Sequence, residues 1–210
     1  MYSPAFHRWD DEKAALKLAG EWNFGALITI ADGAPLISHL PLLVDGERRV
    51  LRGHLARANP HAEKIDGAEH LAVFTGPNAY ISPDWYGEGG KDVPTWNYLA
   101  VHVRGKARVL ADAAAIDAFL ADLSAHEEAR RTDLADGRMW TIDKVPPDQL
   151  ARMRSAIVAF EIDIMSVQAK AKLSQNKKPE AVEGVIGALL ESGLQMNEAL
   201  ALFMSEARRS

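Results

Sequence analysis

The sequence predicts a mainly β fold with helical insertions: a small antiparallel barrel, closed or split, of six strands flanked by α-helices. Three observations predict it. Two Asp-Gly pairs, Asp32-Gly33 and Asp45-Gly46, punctuate three β-rich runs, and Asp-Gly is a strong hairpin signal because both residues tolerate positive φ. The run Asn97–Leu110 alternates, with Leu99, Val101 and Val103 on one face and His102, Arg104, Lys106 and Arg108 on the other. Helical spacing is confined to intervening segments, as in Ile116, Phe119, Leu120 and Leu123 at i, i+3, i+4, i+7.

The elements follow in order. Asp10 is placed to cap a first helix reaching about Trp22, with Ala15, Leu16, Leu18 and Ala19 as its apolar side. Phe24–Ile30, Leu36–Val44 and Val50–Leu55 form a meander of three strands. Asn59-Pro60 marks a turn and starts a short helix ending near Ile65. His70–Thr75 is the fourth strand and Asn97–Leu110 the fifth. Asp112 caps the helix that carries Phe119, and residues 125–145 mix both charges as an exposed connection. Pro146-Pro147 opens a short helix to about Arg154, and Ile157–Ile164 is the sixth strand. Pro179–Leu190 and Gln195–Ala207 form a helical pair around Ser192-Gly193. Residues 1–168 are expected to form the barrel domain, with 169–210 as a lysine-rich segment and helical pair packed on it.

Composition narrows the class. At 210 residues the chain can bury a real core, and 48% hydrophobic with 25% charged residues suits a soluble globular protein. No run approaches the roughly 18 apolar residues needed to span a bilayer. The opening MYSPAFHRWDDEK lacks the basic and apolar regions of a secretory signal. Cysteine is absent, which removes disulfides and thiolate chemistry. A cytoplasmic protein without a membrane partner is expected. The net charge of −5 argues against a strongly basic nucleic-acid footprint over the whole chain.

Between the fourth and fifth strands lies an excursion of about twenty residues, where a hairpin needs about two to five. It holds Tyr80, Trp85, Tyr86 and Trp96 among Gly76, Gly87, Gly89 and Gly90. Disordered segments are poor in aromatics, so this one is expected to be ordered, either as a local core or as a clamp for a flat ligand. GEGGK (Gly87–Lys91) is not a nucleotide loop: a P-loop needs glycine where Trp85 stands and Ser or Thr where Asp92 stands. The dinucleotide pattern fails as well, its third glycine falling at Asp92. None of the seven histidines forms a His-Glu-x-x-His pattern, and no metal site is expected. The C-terminal pair resembles a helix-turn-helix, but after Gln195, Asn197 and Glu198 its second helix continues Ala-Leu-Ala-Leu-Phe-Met, which suits packing better than base reading.

Two polar stretches are candidates for ligand contact. GHLARANPH (Gly53–His61) runs from a strand into a helix start, where backbone N–H groups point outward beside His54, Arg57 and Asn59. A capped helix with a surface arginine would carry the same residues. KAKLSQNKK interleaves Lys170, Lys172, Lys177 and Lys178 with Ser174, Gln175 and Asn176, more hydrogen-bonding variety than a plain solvated face requires.

YISPDWY (Tyr80–Tyr86), followed by VPTWNYLAVHVRGKARV (Val93–Val109), resembles the signature of the PaiB-like FMN-binding negative transcriptional regulator family. The resemblance extends to MYSPAF (Met1–Phe6), HLPLLVD (His39–Asp45), GHLARANPH and KAKLSQNKKPE (Lys170–Glu180), in order over nearly the whole chain. It implies a split β-barrel related to the pyridoxamine-phosphate-oxidase flavoproteins, pairing as a homodimer with FMN at the interface. On that reading His54, Arg57, Asn59, Thr95, Trp96, Asn97, Lys172, Ser174, Gln175 and Asn176 are the candidate cofactor contacts. The function expected is flavin-dependent redox chemistry or flavin sensing. A directly DNA-binding repressor and a haem-binding relative are the alternatives. No residue has the setting of a general acid or base, so no catalytic residue is assigned.

Overall fold

The computed structural model describes residues 1–87, 92–133 and 138–208. Among the described residues there are eight strands: β1 (Arg8–Trp9), β2 (Phe24–Ala31), β3 (Ala34–Pro41), β4 (Leu43–Asp45), β5 (Val50–Ala56), β6 (Glu69–Ile81), β7 (Thr95–Val109) and β8 (Ile157–Lys172). Five α-helices accompany them: α1 (Glu12–Trp22), α2 (Ala113–Glu128), α3 (Pro147–Ser155), α4 (Pro179–Glu191) and α5 (Gln195–Ala207). The strands join one mainly antiparallel sheet in the order β3-β2-β6-β7-β8-β5-β4, with β1 paired to β8. A mainly β fold with helices is therefore present, but as an eight-stranded sheet, seven strands in one path with β1 beside β8, rather than six strands.

The differences have local causes. The run Leu36–Val44 divides at Leu42, whose N–H donates to Asn23 O at 2.9 Å, after which Leu43 pairs with Arg52. β6 continues to Ile81 and β7 begins at Thr95, so the aromatic excursion shrinks to residues 82–94. β8 runs on to Lys172, drawing the first lysines of KAKLSQNKK into the sheet. Asp11, one residue later than expected, caps α1 by accepting from Ala14 N at 2.9 Å. Asp112 caps α2 as its sequence position predicts, accepting from Ala115 N at 2.9 Å. The stretch after Asn59 is a 3-10 turn, Pro60–Lys64. The GEGGK residues 88–91 lie outside the described residues, as do 134–137 of the expected exposed connection.

The chain forms two compact units, and β6, β7 and β8 each run through both. The first comprises Met1–Trp22, Val73–His102 and Val167–Ser210. Its core gathers Ile81, Leu99, Val185, Leu189, Leu200 and Met204. The second comprises Asn23–Ala72 and Val103–Ser166, where Phe119 and Leu123 of α2 pack with Leu43 and Ala159. Complete burial of a ring such as Phe119 contributes about 3 kcal/mol. No described helix is long and apolar enough to cross a membrane.

Candidate functional site

In the first unit, the end of β6, the start of β7 and the end of β8 bring three separated motifs to one pocket. The loop after β6 is built locally. Ser82 Oγ accepts from Asp84 N at 3.3 Å, Pro83 presets the 3-10 turn Pro83–Tyr86, and Gly87 closes it at φ +70°. That turn buries Tyr86, whose hydroxyl lies 3.1 Å from Ser174 Oγ. Ser174 is buried and holds φ +62°, a left-handed conformation that costs a non-glycine residue and is over-represented at functional sites.

Asn97 completes the buried polar group. It sits on β7 in phase with Leu99, Val101 and Val103, fully buried on the apolar face. Its Nδ2 donates to Ser174 Oγ at 2.9 Å and approaches Met204 Sδ at 3.7 Å. Its Oδ1 is buried and has no hydrogen-bond partner among the described residues. Around this group Lys172 Nζ donates to Thr95 Oγ1, and Lys177 Nζ pairs with Asp92 while lying 4.9 Å from the Tyr86 ring centroid. The cavity encloses about 230 Å³, with Phe6, His7 and Asn176 completing its wall.

Electrostatics favour an acceptor-rich ligand. Burial holds the Lys172 ammonium below the usual lysine range; Lys170 lowers it further, while Tyr98 opposes. The Nδ1 of His7 lies 3.1 Å from Gln175 Oε1, which also accepts from Leu173 N, so the ring donates from Nδ1. Burial lowers the His7 pKa against that bond, and the charges of Lys170 and Lys172 add to the lowering. Lys170 itself lies 5.1 Å from the Tyr98 ring centroid. A bound anion or carbonyl edge would offset this concentration of positive charge.

The candidate residues therefore divide. Thr95, Asn97, Lys172, Ser174 and Asn176 line one cavity, and Gln175 positions His7 beside them. Trp96 falls on the opposite face of β7, exposed and edge-on to Tyr80 at 6.3 Å. In the second unit, Arg57 Nε and Nη2 donate to Ser155 O and Ile157 O, each at 2.7 Å. Asn59 Oδ1 accepts from His61 N at 3.0 Å, and its amide nitrogen donates to Ser38 Oγ at 3.2 Å. The backbone N–H groups of Arg57, Asn59 and Ala62 are also bonded within the chain, so the outward donors expected at this junction are occupied. His54 stands edge-on to Phe119, and burial lowers its pKa.

Sequence reasoning did not select Phe6, His7 or Asp92 for the pocket, and it named Tyr86 and Lys177 only as members of their motifs. Their sites in three separate motifs give no local sign of convergence. One usable signal was Asn97 itself, an amide in the register of three core aliphatics.

Comparison with known proteins places the chain in a family. A family model described as "Putative FMN-binding domain" matches residues 1–166. The chain belongs to the PaiB-like FMN-binding family. Within that family it is 33% identical over 192 residues to Protease synthase and sporulation protein PAI 2 of Bacillus subtilis, covering 90% of this chain and 89% of that protein. Among solved structures, an FAD and heme binding protein from Mycobacterium smegmatis superposes with a TM-score of 0.60 at 17% identity, covering 79% of this chain and 73% of that one. The flavocytochrome Anf3 from Azotobacter vinelandii gives 0.54 at 13% identity, over 79% and 69%. At those identities the likeness is one of fold. The polar pocket suits the family's cofactor: flavins present acceptor oxygens to lysines and hydroxyls, and a ring N–H to an unpartnered amide oxygen.

Proposed function

We propose that the protein binds FMN as a homodimer and acts as a flavin-dependent oxidoreductase or a flavin-sensing regulator. The observation that carries this reading is the first unit's cavity, where the buried, unpartnered Asn97 Oδ1 stands beside Lys172 and Lys177. Thr95, Asn97, Lys172, Ser174 and Asn176 would hold the cofactor there, and Gln175 would steady His7. Bound flavin supplies one- and two-electron transfer, and the chain's part is to bind it, orient it and exclude water. FMN is favoured over FAD because the dinucleotide glycine pattern fails at Asp92. In the second unit, Arg57 uses two of its five N–H donors on carbonyls, and the guanidinium is proposed as a phosphate contact through the donors that remain.

Titrating the apoprotein with FMN and FAD, followed by flavin fluorescence, tests the proposal. FMN is expected to bind at least about tenfold more tightly, a difference of about 1.4 kcal/mol. Equal or preferential FAD binding rejects it. An absorbance maximum near 450 nm marks flavin, whereas one near 410 nm would mark haem (both approximate). Arg57→Ala is expected to weaken FMN by about 2 kcal/mol, the scale of a charge-assisted contact, while the thermal midpoint moves only slightly. Unchanged affinity removes Arg57 from the site.

The regulatory half of the reading draws on the name of the Bacillus subtilis relative, which refers to protease synthesis and sporulation. It is proposed to work through flavin rather than a recognition helix, because Leu200, Ala201 and Met204 of α5 are buried in the core.

A further inference from the structure

The amide of Asn97 has an orientation fixed by chemistry. Its nitrogen faces both Ser174 Oγ and Met204 Sδ, and a thioether sulfur only accepts hydrogen bonds. Reversing the amide would set two acceptors against each other, so the oxygen must face away from Met204. That oxygen is buried, belongs to a cavity-lining residue and has no donor among the described residues. A buried acceptor left unpaired is destabilising, and its persistence in a pocket points to a ligand donor that completes it. The surrounding groups have the opposite character. Lys172 donates to Thr95 and Lys177 pairs with Asp92, and both ammonium groups line the pocket, while Thr95 and Ser174 contribute hydroxyls.

A phosphate does not match this arrangement. It would satisfy the lysines but present only acceptors to Asn97 Oδ1, leaving that oxygen unpaired and repelled. The matching edge has one N–H set between carbonyl oxygens, as in an imide. The pyrimidine ring of a flavin has that edge, with N3–H between the C2 and C4 carbonyls. We propose that this pocket reads the pyrimidine edge of the flavin, with Asn97 Oδ1 accepting from N3–H and Lys172 and Lys177 facing the flanking carbonyls. The phosphate then lies elsewhere. This inference rests on the FMN reading and specifies which end of the cofactor the first unit holds.

The test compares FMN with its N3-methyl derivative, which cannot donate from N3, on the unsubstituted protein and on Asn97→Ala. Affinity is read from flavin fluorescence. The unsubstituted protein is expected to bind N3-methyl-FMN about 10- to 100-fold more weakly than FMN, the scale of a buried polar group left without its partner. In Asn97→Ala the two ligands should bind within about threefold of each other, with FMN itself weakened, because the methyl group then meets no acceptor. Equal binding of both flavins to the unsubstituted protein overturns the inference and needs no variant to fold. A methyl penalty that persists undiminished in a folded Asn97→Ala assigns N3 to another group and overturns it too. Failure of FMN itself to bind removes the FMN reading and this inference together, whereas FMN binding without a methyl penalty removes the inference alone.

Discussion

His61 and His70 show how one buried network in the second unit fixes its own protonation. His70 Nε2 lies 3.0 Å from Ile65 O, a pure acceptor, so this nitrogen carries the proton. His70 Nδ1 then accepts from the Thr29 hydroxyl, whose oxygen accepts from His61 Nε2 at 2.8 Å. His61 Nδ1 accepts from Ser38 Oγ at 3.0 Å, and Ser38 accepts from Asn59. Every donor meets an acceptor with both rings neutral. Burial pushes both pKa values below 6.5, the His70 charge adding to the lowering at His61 and the Ile65 carbonyl opposing it at His70. Their folded values lie below the unfolded ones, so protonation favours the unfolded chain. Stability from this pair is full above about pH 6.5 and is lost as pH falls from there toward the lowered folded values. Thermal melts from about pH 7.5 to 5.5 should show a falling midpoint, with a slope of up to about 1.4 kcal/mol per pH unit for each histidine. A flat profile contradicts this protonation scheme. His7, His54 and His102, also lowered chiefly by burial, act in the same direction.

Among the elements, α4 lies closest to the 3-10 turn that places Tyr86. A Cβ on Gly184 would stand 2.3 Å from the Trp85 carbonyl oxygen, a backbone atom that cannot swing aside. Gly187, one turn later, has nothing within 4 Å of the same position. Gly184→Ala is therefore expected to cost about 1–3 kcal/mol and to weaken FMN by displacing Tyr86, the usual penalty of overpacking. Gly187→Ala should be neutral or stabilise by up to about 1 kcal/mol, because only helix propensity changes. Urea unfolding of both variants checks the pair; equal effects would mean that close approach to Trp85 does not limit α4. The hairpin β2–β3 raises a different question. It exposes Phe24, Ile30 and Ile37, with Ile28 opposite Ile37, on a face otherwise holding Ala26, Pro35, His39 and Pro41. Such a face fits a contact with a second copy of the chain.

At the scale of the whole molecule, the proposed homodimer and its dealings with DNA are measurable. Sedimentation at micromolar concentration should give a dimer, and Ile37→Glu should shift it toward monomer with its circular dichroism unchanged, because a charge would be placed in an apolar contact. A monomeric unsubstituted protein with flavin bound rejects the dimer. Tight, sequence-specific DNA binding is not expected. The chain carries 29 acidic against 24 basic side chains, and α5 turns Leu200, Ala201 and Met204 into the core. Mobility shifts with selected genomic fragments across a salt series should show only weak binding that fades steeply with salt. A discrete site held at nanomolar affinity near 150 mM salt would restore the repressor reading (both approximate).

The sequence by itself determined the features whose causes are local. Asp32-Gly33 specified the β2–β3 hairpin, Asp112 the start of α2, and alternation the buried and exposed faces of β7. Its ordered motifs also carried the family. Only the tertiary structure decided how far strands extend and which motif residues meet. β6 lengthens to Ile81 and β8 to Lys172 because strand ends depend on partners remote in sequence, which no local window contains. Asn97 reaches Ser174 across 77 residues, and Tyr86 reaches it across 88. Trp96, adjacent to Asn97 and equally prominent in the motif, faces the other way because a strand alternates at every residue. The Asn97 amide was visible in the sequence as a polar residue in a core register; its unpaired oxygen became visible only when Ser174 and Met204 had fixed its orientation.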